Sequence, residues 1–151
     1  MKRVIVFLLA VLMLASLCAC SKGPDEEHQA AIDSADKALD ELMSDVKFPF
    51  VVKTAYDAEN DQYTVDVQMD RDSFLEFVKS IDEDVANGLE GDDAVQEHME
   101  EFYYNTFKGS DTQQHIVDLV EETAQEPFAN AGLETSVHVR FVDPDGTVTD
   151  F

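Results

Sequence analysis

Apolar positions beyond Asp25 follow two periods that alternate along the chain. From Asp25 to about Val46, residues Ile32, Ala35, Leu39, Leu42 and Val46 recur at steps of three and four. That spacing predicts an amphipathic helix with one apolar stripe and an acidic opposite face. Phe48 to Tyr56 then alternates, with Phe48, Phe50, Val52, Thr54 and Tyr56 on one face and Val51, Lys53 and Ala55 on the other. The polar run Asp57 to Asp61 breaks it, and Tyr63, Val65, Val67 and Met69 alternate with Thr64, Asp66 and Gln68. This is the pattern of a β-hairpin with one buried and one wet face.

The helical period returns at Phe74, Phe77, Val78, Ile81 and Val85, after Asp72 or Ser73 as cap, with Glu76 completing a capping box. Asn87-Gly88 ends that run, and Glu90 to Asp93 reads as an acidic loop. Asp93 with Gln96 opens a second helix through Val95, Met99, Phe102, Tyr103 and Phe107, which Gly109 stops. Asp111 with Gln114 opens a third, carrying Ile116, Leu119, Val120 and Thr123. Pro127 should kink or end it, or start a short separate helix, and Gly132 closes the helical region. Thr135 to Val142 alternates again, Asp143 to Gly146 makes a tight turn, and Thr147 to Phe151 returns. The order helix, hairpin, two or three helices, hairpin predicts an α+β fold: a two-layer domain whose four-stranded antiparallel sheet, built from two hairpins, carries the helices on one face. A cone-shaped, cystatin-like or NTF2-like sheet with a pocket is the alternative, and two central helices between hairpins depart from its order.

Charge narrows the function classes. The chain has 33 acidic and 10 basic residues and a formal net charge of −23. All the acids follow Cys20, so a chain cut there and stripped of Lys2 and Arg3 is more negative still. Such a field repels nucleic acid and anionic lipid headgroups and gathers cationic proteins, cationic peptides or divalent cations. A solvated surface without a specific ligand has the same composition.

The N-terminus sets the location. Met1-Lys2-Arg3 is a cationic start, Val4 to Leu14 is an unbroken apolar run, and small residues follow. This is the layout of a secretory signal, too short and wrongly flanked for a membrane span. Leu17-Cys18-Ala19-Cys20 resembles the lipobox of bacterial lipoproteins, Cys18 being the departure from the usual small residue. The resemblance implies cleavage before Cys20, lipidation of its sulfur, and attachment to the membrane through diacylglyceryl-Cys20. Residues 1–19 are then a lipoprotein signal peptide, 20–28 the lipidated cysteine and tether, and 29–151 one α+β domain. The expected place is the extracytoplasmic face of the cell membrane, and Ser21 permits transfer to the outer membrane in a two-membrane host. Acyl burial gains about 0.8 kcal/mol per CH₂, so more than one chain gives stable anchoring. With Cys20 modified no cysteine pair remains, and the core must hold by apolar burial. The layout, with Asp145-Gly146 and the terminal Phe151, also loosely resembles small lipoprotein domains of Gram-positive bacteria, which carry no known chemistry.

Candidate chemistry is sparse. Asp143-Pro144-Asp145-Gly146 with Asp150 has the look of a calcium loop, although its flanks are a hairpin rather than two helices. Asp57, Glu59 and Asp61 form a similar cluster that also reads as a solvated turn. His98 with Glu101 and His115 with Asp118 place an acid on the same face as each histidine, without a His-Glu-x-x-His or Glu-x-x-His pattern. Phe102, Tyr103 and Phe107 fit a core wall or a pocket wall, and Tyr104 falls off their stripe. No serine-nucleophile motif, phosphate-binding glycine loop or cofactor motif is present. The sequence therefore points to a surface-anchored acidic lipoprotein acting as a non-catalytic binding or interaction module, not an enzyme. A calcium-binding envelope protein and a small hydrolase using acids with His98 or His115 are the alternatives.

Overall fold

The computed structural model describes residues 23–45, 49–89 and 91–151. Cys20 with the whole leader, and the expected helix end Val46 and strand start Phe48, lie outside the described residues. Among the described residues no helix is long and apolar enough to cross a membrane.

The first helix, α1, spans Glu26–Asp45. Asp25 caps it, its carboxylate accepting from the His28 backbone N–H at 3.0 Å. Ala31, Ile32, Ala35 and Leu39 form its buried stripe. The hairpin β1 (Phe50–Asp57) and β2 (Gln62–Met69) follows, with Phe50 opposite Met69 and Asp57 opposite Gln62. Tyr63, Val65 and Val67 on β2 are fully buried while their alternates Thr64, Asp66 and Gln68 are not, as the period of two requires.

The helical middle is more broken than its spacing suggests. α2 (Arg71–Ile81) is capped by Asp70, two or three residues earlier than expected, whose carboxylate accepts from both the backbone N–H and the hydroxyl of Ser73. The run does not continue to Val85. Asp82 takes an extended conformation, ends α2 and caps the short α3 (Glu83–Gly88). α4 (Asp92–Phe102) starts after Gly91, at φ +89, without a side-chain cap. A single π-helical turn, Tyr103–Phe107, then adds one residue to the turn, with the Lys108 N–H reaching the Tyr103 carbonyl at 2.7 Å. Ser110, not Asp111, caps α5 (Asp111–Asn130), which runs unbroken through Pro127. Its buried stripe is Ile116, Val117, Val120, Ala124 and Phe128, with Gln113 at the start.

The chain closes with β3 (Ser136–Val142) and β4 (Val148–Asp150). The four strands lie in chain order, but the sheet is mixed rather than antiparallel: β1–β2 and β3–β4 are antiparallel hairpins, and β2–β3 run parallel, Tyr63 opposite Val137 and Val67 opposite Phe141. The reason lies in α5. A helix of 20 residues is about 30 Å long, enough to carry the chain back to the sheet end where β2 begins. Two bonds tie that return: Leu133 N–H to the Phe128 carbonyl and Ser136 N–H to the Asp61 carbonyl. Antiparallel pairing of the hairpins would need the connection to finish at the opposite end.

α1 and α5 pack side by side on the sheet's apolar face, where Tyr63, Val65, Val67, Val139 and Phe141 meet Leu39, Val120 and Phe128. The other face is wet, and there the Arg140 guanidinium forks onto Asp66 at 2.7 and 2.9 Å. A satellite core of Phe74, Val95 and Met99 holds α2 against α4, with Phe102 packed against both cores.

Candidate functional site

Three places gather chemistry: a groove beside β1, an apolar cleft among the middle helices, and a buried carboxylate under the last hairpin.

The groove measures about 690 Å³ and lies between the C-terminal half of α1, the start of β1 and α2. Its apolar surface comes from Met43, Phe50, Val52 and Phe77. Asp40 of α1 and Glu76 of α2 supply its charge, and among the described residues no lysine or arginine lines it. The helical periods explain this. Asp40 follows the buried Leu39, and Glu76 lies between Phe74 and Phe77, so each acid sits at the margin of an apolar stripe. The lining serines already have partners: Ser44 donates to the Asp40 carbonyl, Ser80 to the Phe77 carbonyl and Ser73 to Asp70. The nearest cation along α1, Lys37, pairs with Glu41 at 3.4 Å. The groove therefore offers apolar contact framed by the negative charge of Asp40 and Glu76.

The cleft measures about 400 Å³, and its apolar lining includes Phe74, Phe77, Val78, Ile81, Val85 and Phe102. Ile81 is 70% exposed and Val85 44%. His98 and Glu101 stand at this cleft, one α-helical face away from the buried Val95 and Met99.

The third place answers what the last turn does. Asp143 is buried, 3% exposed. One of its oxygens accepts from the Tyr103 hydroxyl and the other from the Lys108 ammonium. The same ammonium stands 5.2 Å from the Tyr104 ring centre and 5.9 Å from that of Tyr103. Burial, then the bond to Asp143, pushes the Tyr103 phenol up. The π turn makes this possible by setting Tyr103 and Phe107 both inward while Tyr104 stays 41% exposed.

The residues singled out in the sequence do not converge on one site. Asp143 is consumed by Tyr103 and Lys108, so a cation arriving there must displace an ammonium. Asp145 accepts from the Thr147 backbone N–H at 2.9 Å, which holds its carboxyl below the usual range, and Asp150 stands opposite Arg140. Asp57 caps its own turn by accepting from Glu59 N–H and the Asn60 amide. Asp61, at φ +48, accepts from Tyr56 and Thr135 and lies 3.4 Å from His28 Nε2, so it ties α1, β1 and β3 together. Burial, then Asp61, pushes the Tyr56 phenol up to about 12. His115 and Asp118 are exposed on α5. Among the described residues no three His, Cys, Asp or Glu side chains gather as a metal site requires. Phe102 lines the cleft while Tyr103 and Phe107 belong to the core.

As groove walls Asp40 and Glu76 escape sequence reading, since they are two acids among 33 and Glu76 reads there as a capping-box acid, a role that the cap at Asp70 does not leave it. Only the edge position of β1 and the approach of α2 single them out. In comparisons with known proteins, no family model, no curated protein and no solved structure matches the chain.

Proposed function

We propose that the protein is a lipid-anchored binding module of the cell envelope that captures a cationic protein or peptide and carries out no catalysis. The groove carries this reading. Its apolar floor and its Asp40 and Glu76 walls suit a ligand with aliphatic stems and positive ends. The lipobox-like segment ending at Cys20 supports attachment at the extracytoplasmic face, where the net charge of −23 keeps the domain off an anionic membrane surface.

Two measurements test the proposal. Mass spectrometry of the protein from its host membrane should find Cys20 as the first residue, carrying acyl mass; an intact leader or a free thiol removes the anchor. Binding of poly-lysine to the full chain in detergent should weaken on the order of tenfold between about 50 and about 500 mM salt, because exposed charge pairs are screened. It should also weaken in Asp40→Asn/Glu76→Gln. Equal binding by that variant takes the ligand away from the groove.

A further inference from the structure

The groove opens beside a strand whose outer edge has no strand partner among the described residues. Among the described residues β1 pairs only with β2, and at eight residues it is the long edge of the sheet, against three for β4 at the other side. The Asp70 N–H bonds the Pro49 carbonyl at 3.1 Å, which extends the β1–β2 ladder by one bonded pair. Bonded and non-bonded pairs alternate in an antiparallel ladder. In this register Val52, Thr54 and Tyr56 therefore direct their backbone N–H and C=O away from β2. Among the described residues no other backbone bond reaches those groups. Phe50 has the same phase but is 4% exposed, so the open edge begins at Val52, the last residue of β1 that lines the groove.

We infer that the cationic ligand docks as an extended segment, adding a fifth strand to the sheet along Val52 to Tyr56. This rests on the binding-module reading and names how the ligand is held. A strand laid there turns alternate side chains to the two faces of the sheet. The side chain set opposite Val52 on the helix side enters the groove, where Met43, Val52 and Phe77 take an aliphatic stem and Asp40 and Glu76 meet its positive end. Side chains on the other side stand beside exposed Lys53 and Ala55, where a further cation is repelled. The fitting segment thus alternates Lys or Arg with a neutral residue. An edge left open without a bulge is a template for such pairing, with Lys53 as its only charged side chain between Val52 and Tyr56.

The test uses the full chain in detergent and a capped eight-residue peptide of alternating Lys and Thr. Two derivatives of the peptide are N-methylated, one on every Lys and one on every Thr, at unchanged charge. A docked strand turns the N–H groups of only one set toward β1. One derivative should therefore lose about tenfold or more in affinity while the other binds as the parent does. Val52→Pro, which removes an outward N–H at a non-bonded position, should weaken the parent similarly. Equal, undiminished binding of both derivatives overturns strand docking. If that binding still depends on Asp40 and Glu76, the binding-module reading stands without it. Absence of any binding by the parent peptide and poly-lysine overturns both.

Discussion

Asp143 shows how one side chain joins distant parts of the chain. Its carboxylate holds the π turn to the last hairpin through Tyr103 and Lys108. Tyr103→Phe strips a donor from a buried acceptor and should lower unfolding free energy by about 1–3 kcal/mol. Lys108→Met leaves that carboxylate without its cation. Because the lysine side chain is 40% exposed and solvent screens it, we expect a loss of about 1–3 kcal/mol in denaturant titration, below that of a fully buried pair. His28 gives the molecule a pH response. It bonds Asp25 at 2.8 Å, faces Asp61 at 3.4 Å and sits 5.7 Å from the Tyr56 ring. The Asp25 bond, against burial and with help from Asp61 and Glu27, holds its pKa above the ordinary imidazole value. Stability from protonated His28 is therefore complete below the unfolded value and is lost as pH rises through the folded one. The melting temperature should fall between about pH 6 and about pH 8, and His28→Gln should flatten that fall. Asp143 is visible in the sequence as a turn acid, but its burial under Tyr103 is not, because the contact joins residues far apart in the chain.

Among the elements, strands and long helices are legible and their breaks are not. The period of two places Tyr63, Val65 and Val67 inside, and the structure agrees. The same alternation fits parallel or antiparallel neighbours equally, so strand direction between the hairpins depends on the path of the connection. Arg140 and Asp66 are direct neighbours in the parallel register. Asp66→Arg should destabilise the sheet, and adding Arg140→Asp should recover about 0.5–1 kcal/mol of coupling for this partly exposed pair. Pro127 is a helix breaker by type, yet α5 passes through it because Val120, Ala124 and Phe128 are fully buried against the sheet side. Tertiary packing outweighs local preference there. Phe128→Ala should cost about 3–5 kcal/mol, the range for emptying a fully buried aromatic site.

At the scale of the whole molecule, charge comes from composition and the proposed location from the N-terminal segment, while the groove comes from assembly. Its walls belong to α1 and α2, which are separated in the chain by the entire first hairpin. If those walls recruit the ligand, raising salt should slow association more than it speeds dissociation in stopped-flow mixing, since steering acts on the encounter. Asp40→Asn/Glu76→Gln should reduce that salt dependence. The cleft at Ile81 and Val85 supplies an internal control: Ile81→Ser lies outside the groove and should leave poly-lysine affinity unchanged.

By itself the sequence determined the apolar faces of the helices and strands, the acidic field, and the lipobox-like segment at Cys20, because each is written in neighbouring residues. The tertiary structure decided strand direction, the capture of Asp143 by Lys108, and which two of the many acids line the groove beside β1. Those depend on where α5 and α2 carry the chain in space, and local pattern holds no record of that path.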